Sequence, residues 1–520
     1  MTTTIHRDPL TDAGTVDVLI IGGGITGAAI AYEASSRGLS VVLIEKADFG
    51  GATSAATGKL IHGGLRYLKN LEIGLVRESL AERRTLSRIA PGLVAPIEMV
   101  LPDPGLVEHV GLTAYDLLSF DRNRVAATHR IPRHRSLSRR ELAGRGLGHL
   151  SRGILYSDAM MLSPERLTLA FLRSAVAHGA RVANYVRAEE VLVRRGRVVG
   201  ALTHDAVTGS PGQVRARVTV NASGPWARDV LRAQAGTSAA VGPAPAVRSE
   251  GIYLLTRPLT DTMVLTVSPS GHFSFAPWRG RTLIGPTETP YRGAVDDWRL
   301  TGQSIDRFIA EINANSRLPV ALERSDVVAA YGGLRPLTET AGADTYRASR
   351  ASELTDHASD GLPGLVSANG GKYTTSRAFA EKTVGRLARI AGRRVGVSRT
   401  AHVPLDAADL PDIASATLVQ KLYGTDADAV HALARADRRL AAPTTDDGEI
   451  LAGVAFAARH EAVVHLTDIL LRRTGVGQRG DPGEAVLRQA AEVAGAELHW
   501  SSSRRAEELA DARAAVRLPD

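Results

Sequence analysis

The sequence predicts an α/β protein in three parts. A Rossmann-like dinucleotide-binding domain is interleaved with a mixed-sheet substrate or cap domain, and a helical domain comes after them. Three observations carry this. A strand, a glycine-rich turn, a helix, a second strand and an acid succeed one another within residues 16–45. Strand-like segments such as GHFSFAPW (271–278), with its period-two alternation, fill the middle of the chain. From about residue 405 the chain is alanine-rich with helical spacing, broken at AAPTTDDGE (441–449), and its final helix, from about 503, is charged on most faces.

VDVLII (16–21) is a short apolar, β-branched run that reads as a buried strand. Gly22, Gly24 and Gly27 form G-x-G-x-x-G, and Ala28, Ala29, Ala31 and Ala34 continue as a helix. Gly22 permits the tight turn, Gly24 lets a pyrophosphate approach the backbone at the helix N-terminus, and Gly27 lets helix and strand pack closely. SVVLI (40–44) is the second strand. It ends at Glu45, an acceptor for a ribose hydroxyl and a repellent for a 2′-phosphate. The lone glycine motif is weak, but with these flanking elements it is strong.

The segment after the acid selects FAD over NAD. KADFGGATSAATGKLIHGGLRYL (46–68) is rich in Gly, Ser and Thr and then turns apolar, where a nicotinamide enzyme would run into another plain βαβ unit. Such a segment wraps a second phosphate and the ribityl chain and brings backbone against a flavin ring. Thr53, Ser54, Lys59 and Gly63 are its candidate cofactor contacts. VTVNASGPWARDV (218–230) is a strand ending in small residues at Gly224, suited to the adenine half.

Apolar content of 44% and charged content of 23% are ordinary for a water-soluble globular chain, and 520 residues imply two or three domains. No apolar run approaches the roughly 18 residues of a membrane-spanning helix. The polar start MTTTIHRDPLTDAGT lacks a secretion signal's apolar core, so a cytoplasmic location is expected, with peripheral attachment to the inner face of the cell membrane as an extension. Zero cysteines exclude disulfides and cysteine-held iron–sulfur clusters within this chain. The net charge of +8 points to anionic substrates or an anionic membrane surface. Nucleic acid is not expected: the sharpest basic stretch, DRNRVAATHRIPRHRSLSRREL (121–142), has no interleaved aromatic rings for base stacking. It reads instead as a solvated loop leading into a helix capped by Ser138 with Glu141.

GGGITGAAIA, ATSAATGKLIHGGLRYL, NASGPW, YGGLRPL and GGKYTT occur in that order. The series resembles the FAD-dependent glycerol-3-phosphate dehydrogenase family over roughly residues 15–400, and the tail of 400–520 resembles that family's C-terminal domain. The chain departs from the family pattern at Gly58, where Ser or Thr is usual, and at GPTE (285–288), where GTTD is usual. The resemblance implies oxidation of sn-glycerol 3-phosphate to dihydroxyacetone phosphate, with hydride passing from C2 to flavin N5 and electrons onward to quinone or oxygen.

That chemistry needs cations for a phosphate near −2 and a base for a hydroxyl proton. Arg335, in YGGLRPL, and Arg350, in YRASRASEL, match the arginines that bind substrate phosphate in the family. His62, between Leu60-Ile61 and Gly63-Gly64, is the first candidate base, and His272 in GHFSFAPW is the second. The chain has 63 basic residues, and its only lysines are Lys46, Lys59, Lys69, Lys372, Lys382 and Lys421. Lys372 therefore stands out in NGGKYTTS (369–376). Gly370 and Gly371 admit backbone close to a flavin, Lys372 supplies a compact ammonium, and Thr374 and Thr375 offer hydroxyls to ribityl or phosphate oxygens. Arg66, in the near-copy GGLRYL, belongs to the cofactor face or to packing.

The expected boundaries are 15–95, 150–235 and 345–398 for the FAD-binding domain, 96–149 and 236–344 for the substrate domain, and 405–520 for the helical domain. Expected partners are glycerol 3-phosphate, quinone or another electron acceptor, an anionic membrane surface and a second copy in a homodimer. Two competing readings are an amine or amino-acid oxidase of the same fold and a non-catalytic flavoprotein. One metal motif fails: in RHEAVVHLTDILLRR (459–473), His460 and His465 are five apart, about 140° around a helix, so they share no metal on one face. No metal site is expected there, and the segment reads as one amphipathic helix.

Overall fold

A computed structural model describes residues 2–8, 10, 14–68, 71–234, 248–268, 271–319, 321–335, 352–410 and 412–520. Its first sheet is built around β1 (Thr15–Ile21), which pairs in parallel with β2 (Val41–Ile44) on one side and with the strand Ser210–Asn221 on the other. Arg181–Ala183 and Leu365–Asn369 extend it in parallel at the two flanks. Ile21 stands in register with both Ile44 and Asn221, so three strands end together. The crevice beyond the carboxyl ends of such strands is where an open α/β sheet receives ligands. β1 and β2 are apolar on both faces because both are covered: on one face α1 (Ile25–Ser36) packs with the helices Pro164–Ala177 and Ser376–Ile390, and on the other Leu19, Ile21, Val42 and Ile44 pack with Val186, Ala201 and Val214 of the strands that follow.

The second sheet is mostly antiparallel and curves over that crevice. Its order runs Thr289–Tyr291, Arg248–Thr256, Arg281–Gly285, Gly271–Trp278, Met263–Ser268, Val94–Pro102, Gly153–Met161 and Leu60–Ile61, with Val327–Arg335 added on Arg248–Thr256. Strand alternation divides its faces. Phe273 and Phe275 enter a core with Phe308, Ile305 and Ile312 of the helix Gly302–Asn315, and their rings meet edge-on. The intervening His272 and Ser274 face the crevice. The strand at 153–161, which the sequence reading groups with the first domain, pairs along Val94–Pro102 in this second sheet.

The helical region from Leu418 to Val516 shares a core with the first sheet's helices, including Leu422, Tyr423 and Phe456. Buried ion pairs tie it down. Arg166 forks onto Glu461 at 3.0 Å, and Arg173 reaches Asp406 at 3.2 Å and also Asp426. Removing one partner of such a pair costs about 3–5 kcal/mol, because the other charge is left buried. The segment 459–473 is not one helix. The helix Ala452–His460 stops, the chain turns through Ala462 at φ 49°, and a short helical turn and a π turn (Ile469–Arg473) come next. The break puts Glu461, fully buried, against Arg166, and a continuous helix would not. The Ser138 capping box appears as read, opening the helix Arg139–Gly144.

Candidate active site

Between the two sheets lies a cavity of about 960 Å³, at the upper end of the roughly 300–1,000 Å³ usual for ligand sites. One part of its wall is the glycine turn. Gly22 sits at φ +115°, where an added Cβ would lie 2.6 Å from the Ala222 carbonyl oxygen. Gly24 caps α1 without a side chain of its own, leaving the helix N-terminus open to the cavity except where the Ile25 amide donates to Ser54 Oγ at 2.9 Å. Gly27 does not line the cavity. Its added Cβ would fall 1.9 Å from the Gly22 carbonyl oxygen, so only glycine lets α1 pack on the turn. Glu45 is held ready at the end of β2, where its carboxylate accepts from the Gly23 and Ala47 amides at 2.7 and 3.0 Å. Burial pushes this carboxyl up, against those two bonds. Thr53, Ser54, Gly224, Gly370, Gly371 and Thr374 complete this side. An open helix N-terminus, glycine-lined backbone and an oriented acid fit a dinucleotide of FAD's size and charge.

Residues 58–64 form the next wall, and strand alternation decides which of them face inward. Gly58, Leu60, His62 and Gly64 line the cavity, while Lys59, Ile61 and Gly63 point away. Two expected cofactor contacts are thereby corrected. Lys59 is buried beside Glu165 at 3.8 Å and over the Trp278 ring at 4.5 Å. Gly63 packs on Leu80 and donates its amide to Tyr115 Oη at 2.8 Å. His62 is half-buried, and its amide donates to Thr374 Oγ1 at 3.3 Å, which joins the two segments singled out in the sequence. Lys372 lies in the same corner. Its Nζ stands 3.7 Å from the Tyr67 ring centroid and donates to Ser79 Oγ at 3.2 Å. Thr375 is buried at the start of the following helix and does not line the cavity.

Arg335 and His272 come from the second sheet. The Arg335 guanidinium donates to the Thr287 carbonyl at 3.3 Å and to Ser249 Oγ at 3.5 Å, and stands 3.5 Å from the Glu288 carboxylate. It lies across Gly251, where an added Cβ would be 2.1 Å from Nη2. Both departures from the expected motifs therefore sit at the cavity. Glu288 faces Arg335, and Gly58 leaves room for the Tyr253 ring, 3.3 Å from its added Cβ. Arg350 and the Arg66 side chain lie outside the described residues.

Several cavity residues escaped the sequence reading. Tyr253 stacks on Tyr331 with centroids 5.3 Å apart. Asp158 is buried, takes Tyr115 Oη at 2.7 Å and pairs with Arg83. Asp296 reaches from the second sheet's side to Lys46 Nζ at 2.9 Å and the Trp226 indole N–H at 2.7 Å, with Lys46 over that ring. Tyr67, Lys46 and Trp226 lie inside segments quoted from the sequence, whereas nothing near Tyr253, Asp158 or Asp296 marked them. Among the described residues no cluster of potential metal ligands occurs.

Residues 17–384 match the family described as FAD dependent oxidoreductase, and residues 370–505 match the C-terminal domain of alpha-glycerophosphate oxidase. The chain is similar to a glycerol-3-phosphate dehydrogenase of Synechocystis sp., 32% identical over 501 residues that cover 88% of each chain. It is 31% identical to glycerol-3-phosphate dehydrogenase 2 of Mycobacterium tuberculosis over 96% of this chain and 88% of that one. Among solved structures, the glycerol-3-phosphate dehydrogenase from Bacillus halodurans complexed with FAD superposes with a TM-score of 0.74 at 25% identity, covering 96% of this chain and 94% of the other. A glycine oxidase from Bacillus cereus shares the fold, with a TM-score of 0.50 at 19% identity over 72% of this chain and 95% of that one.

Proposed function

The chain belongs to the FAD-dependent oxidoreductase family, in its glycerol-3-phosphate dehydrogenase branch, and oxidises glycerol 3-phosphate with FAD; from this premise we propose that Arg335 and Lys372 bind the substrate's anionic oxygens while His62 takes its hydroxyl proton. FAD, when bound, supplies the acceptor for the hydride leaving C2. Gly22, Gly24, Glu45, Thr53, Ser54, Gly224, Gly370, Gly371 and Thr374 hold that cofactor. The observation that carries the reading is that His62, His272, Arg335 and Lys372 line the same cavity as the glycine cradle.

Loss of a hydride and a proton converts the C2 alcohol to the ketone of dihydroxyacetone phosphate. His62, fixed through its backbone to Thr374, accepts the proton on its imidazole, and His272 is the alternative acceptor from the facing sheet. Arg335 offers a planar fork to phosphate oxygens. Its tie to Glu288 holds it in place before substrate arrives and leaves it only partly neutralised at 3.5 Å. Lys372, positioned by Tyr67 and Ser79, is a fixed cation that favours the arrival of negative charge with the hydride. Arg350 is a further phosphate ligand in this proposal. Two or more cations suit a phosphate near −2 better than the single carboxylate of an amino acid. The test is anaerobic: the purified protein is mixed with sn-glycerol 3-phosphate and flavin absorbance is followed. Bleaching with this substrate, and not with glycerol or glycine, is the expected result. Bleaching by amino acids instead would overturn the phosphate assignment.

Electrons leave for a membrane quinone. No helix among the described residues is long and apolar enough to cross a membrane. The helix Leu106–Leu118 exposes Leu106, Val107, Val110 and Leu117, Phe120 is exposed just beyond it, and Leu71 and Ile73 are exposed at the start of the helix Ile73–Ile89, which packs against it. Exposed Arg124, Arg130 and Arg133 come next, on a loop tied back to this helix by Arg122 and His134 at Asp116. Apolar side chains beside cations suit the surface of an anionic bilayer. The same helix lines the cavity through Glu108, as Leu101 and Val267 do from the second sheet. Binding to vesicles containing phosphatidylglycerol, weakened by Val110→Asp, is expected. Equal sedimentation of wild type and Val110→Asp would overturn this docking face, and oxygen consumption without quinone would overturn the acceptor.

A further inference from the structure

We propose that the C-terminal helical domain is a cofactor-retaining clamp, which holds the loop after β2 through Asp48 and thereby sets how tightly FAD is kept. The proposal rests on the chain's binding of FAD and not on the identity of the substrate. The loop carries Glu45, Gly50, Gly51, Ala52, Thr53 and Ser54, all of which line the cavity. Asp48 is only 3% exposed. Its carboxylate accepts from both terminal nitrogens of Arg473, at 2.7 and 2.8 Å, from Arg472 Nε, and from Asn184 Nδ2 at 3.0 Å. Burial alone would raise this carboxyl, but the two guanidiniums override it and hold it well below the usual carboxylate range.

Both arginines belong to the C-terminal domain and are themselves fixed. Arg472 donates to Asp468 at 2.6 Å, and Arg473 Nε donates to the Glu461 carbonyl at 3.0 Å. Asp468 also accepts from Tyr185 Oη at 2.6 Å and from the Val464 and His465 amides at 2.9 Å each. Neighbouring side chains on an α-helix diverge by about 100°, yet these two meet on one carboxylate. They do so from the π turn Ile469–Arg473, a distortion that recurs at functional sites. Arg472 also runs along the loop, with its Cδ 3.5 Å from an added Cβ on Gly51. The loop is thus ordered before ligand arrives, so binding need not pay its ordering entropy. Asp48, Arg472 and Arg473 act here as positioning residues.

The experiment uses holoenzyme. Wild type, Arg472→Leu, Asp48→Asn and the control Arg459→Ala are purified with FAD. The control breaks the Arg459–Glu497 pair, which lies within the same domain and away from the loop. Flavin release on dilution is followed by free-flavin fluorescence, the dissociation constant is obtained by titrating stripped protein, and Tm is measured at saturating FAD. Arg472→Leu is expected to weaken FAD binding about tenfold or more with the KM for glycerol 3-phosphate at saturating FAD unchanged, while Arg459→Ala lowers Tm and leaves FAD affinity alone. Asp48→Asn is expected to release FAD at least as readily. If it does not fold, Arg472→Lys, which keeps the charge and loses the fork, serves in its place and is expected to weaken binding about threefold. FAD affinity within about twofold of wild type in folded Arg472→Leu, or an equal loss in the control, overturns the clamp. Wild-type protein that takes up no flavin would instead overturn the FAD reading itself.

Discussion

Replacing Gly251 by alanine tests the phosphate clamp without touching a residue that meets the substrate. Gly251 pairs with Gly333 on neighbouring strands, in a conformation that alanine adopts. The added methyl would lie 2.1 Å from Arg335 Nη2 and 2.7 Å from its Cζ. The strand cannot yield to relieve this, so the guanidinium swings away from Ser249, Thr287 and Glu288. A hydrogen bond to a charged partner is worth about 1.5–3 kcal/mol, and the fork contributes two. Swinging it aside therefore removes about 3 kcal/mol if both bonds are lost, and about half of that if one is recaptured. Since about 1.4 kcal/mol is tenfold, kcat/KM for glycerol 3-phosphate should fall roughly 10- to 100-fold, mainly through KM. Flavin content and Tm should stay near wild type, because Gly251 does not line the cradle and alanine suits a strand at least as well. The assay is steady-state reduction of an artificial dye acceptor, with flavin content measured on the same samples. A kcat/KM within twofold of wild type, with Arg335→Leu strongly impaired, would show that the observed guanidinium position is not the one that binds substrate.

Lys372→Met should slow anaerobic flavin reduction by about 100-fold or more, as loss of a preorganised charge does, and Lys372→Arg should recover only part of this, because the longer fork cannot occupy the niche between Tyr67 and Ser79; full activity in the arginine variant would refute the need for a compact ammonium. Gly27→Ala should yield protein with little bound flavin and a lowered Tm, since its methyl meets backbone at 1.9 Å; normal flavin content would contradict the close packing. The hydrogen bond from His465 to Glu508 at 2.8 Å raises the imidazole's pKa above its ordinary value near 6.5. Its stabilisation is therefore complete below about pH 6.5 and is lost as pH rises through the raised value. Thermal melts of His465→Gln should show a deficit against wild type at about pH 6 that shrinks toward about pH 9; a pH-independent deficit would mean that packing alone is responsible.

The glycine cradle was legible because it is local. Gly22, Gly24, Gly27 and Glu45 lie within one strand–turn–helix–strand unit, and each is required by backbone geometry that short windows of sequence encode. His62, Lys372 and Arg335 could be picked out because glycines flank them, and unusual backbone announces itself in composition. The facing of residues 58–64 was also written there as period-two alternation, yet Lys59 and Gly63 were read by residue type and so placed on the wrong side. Other features depended on which distant segments the topology brings together. Nothing near Glu461 says that Arg166 will need it, so the break in 459–473 followed from a buried charge that had to be matched. Likewise Asp48 meets Arg472 and Arg473 across more than four hundred residues, and Glu288 meets Arg335 only because both strands flank Arg248–Thr256. By itself the sequence determined the dinucleotide cradle and the kinds of side chain available for catalysis, since both follow from local backbone preference and residue chemistry. Only the tertiary structure decided which charges face one another, because desolvated ion pairs form wherever the folded topology leaves them no water.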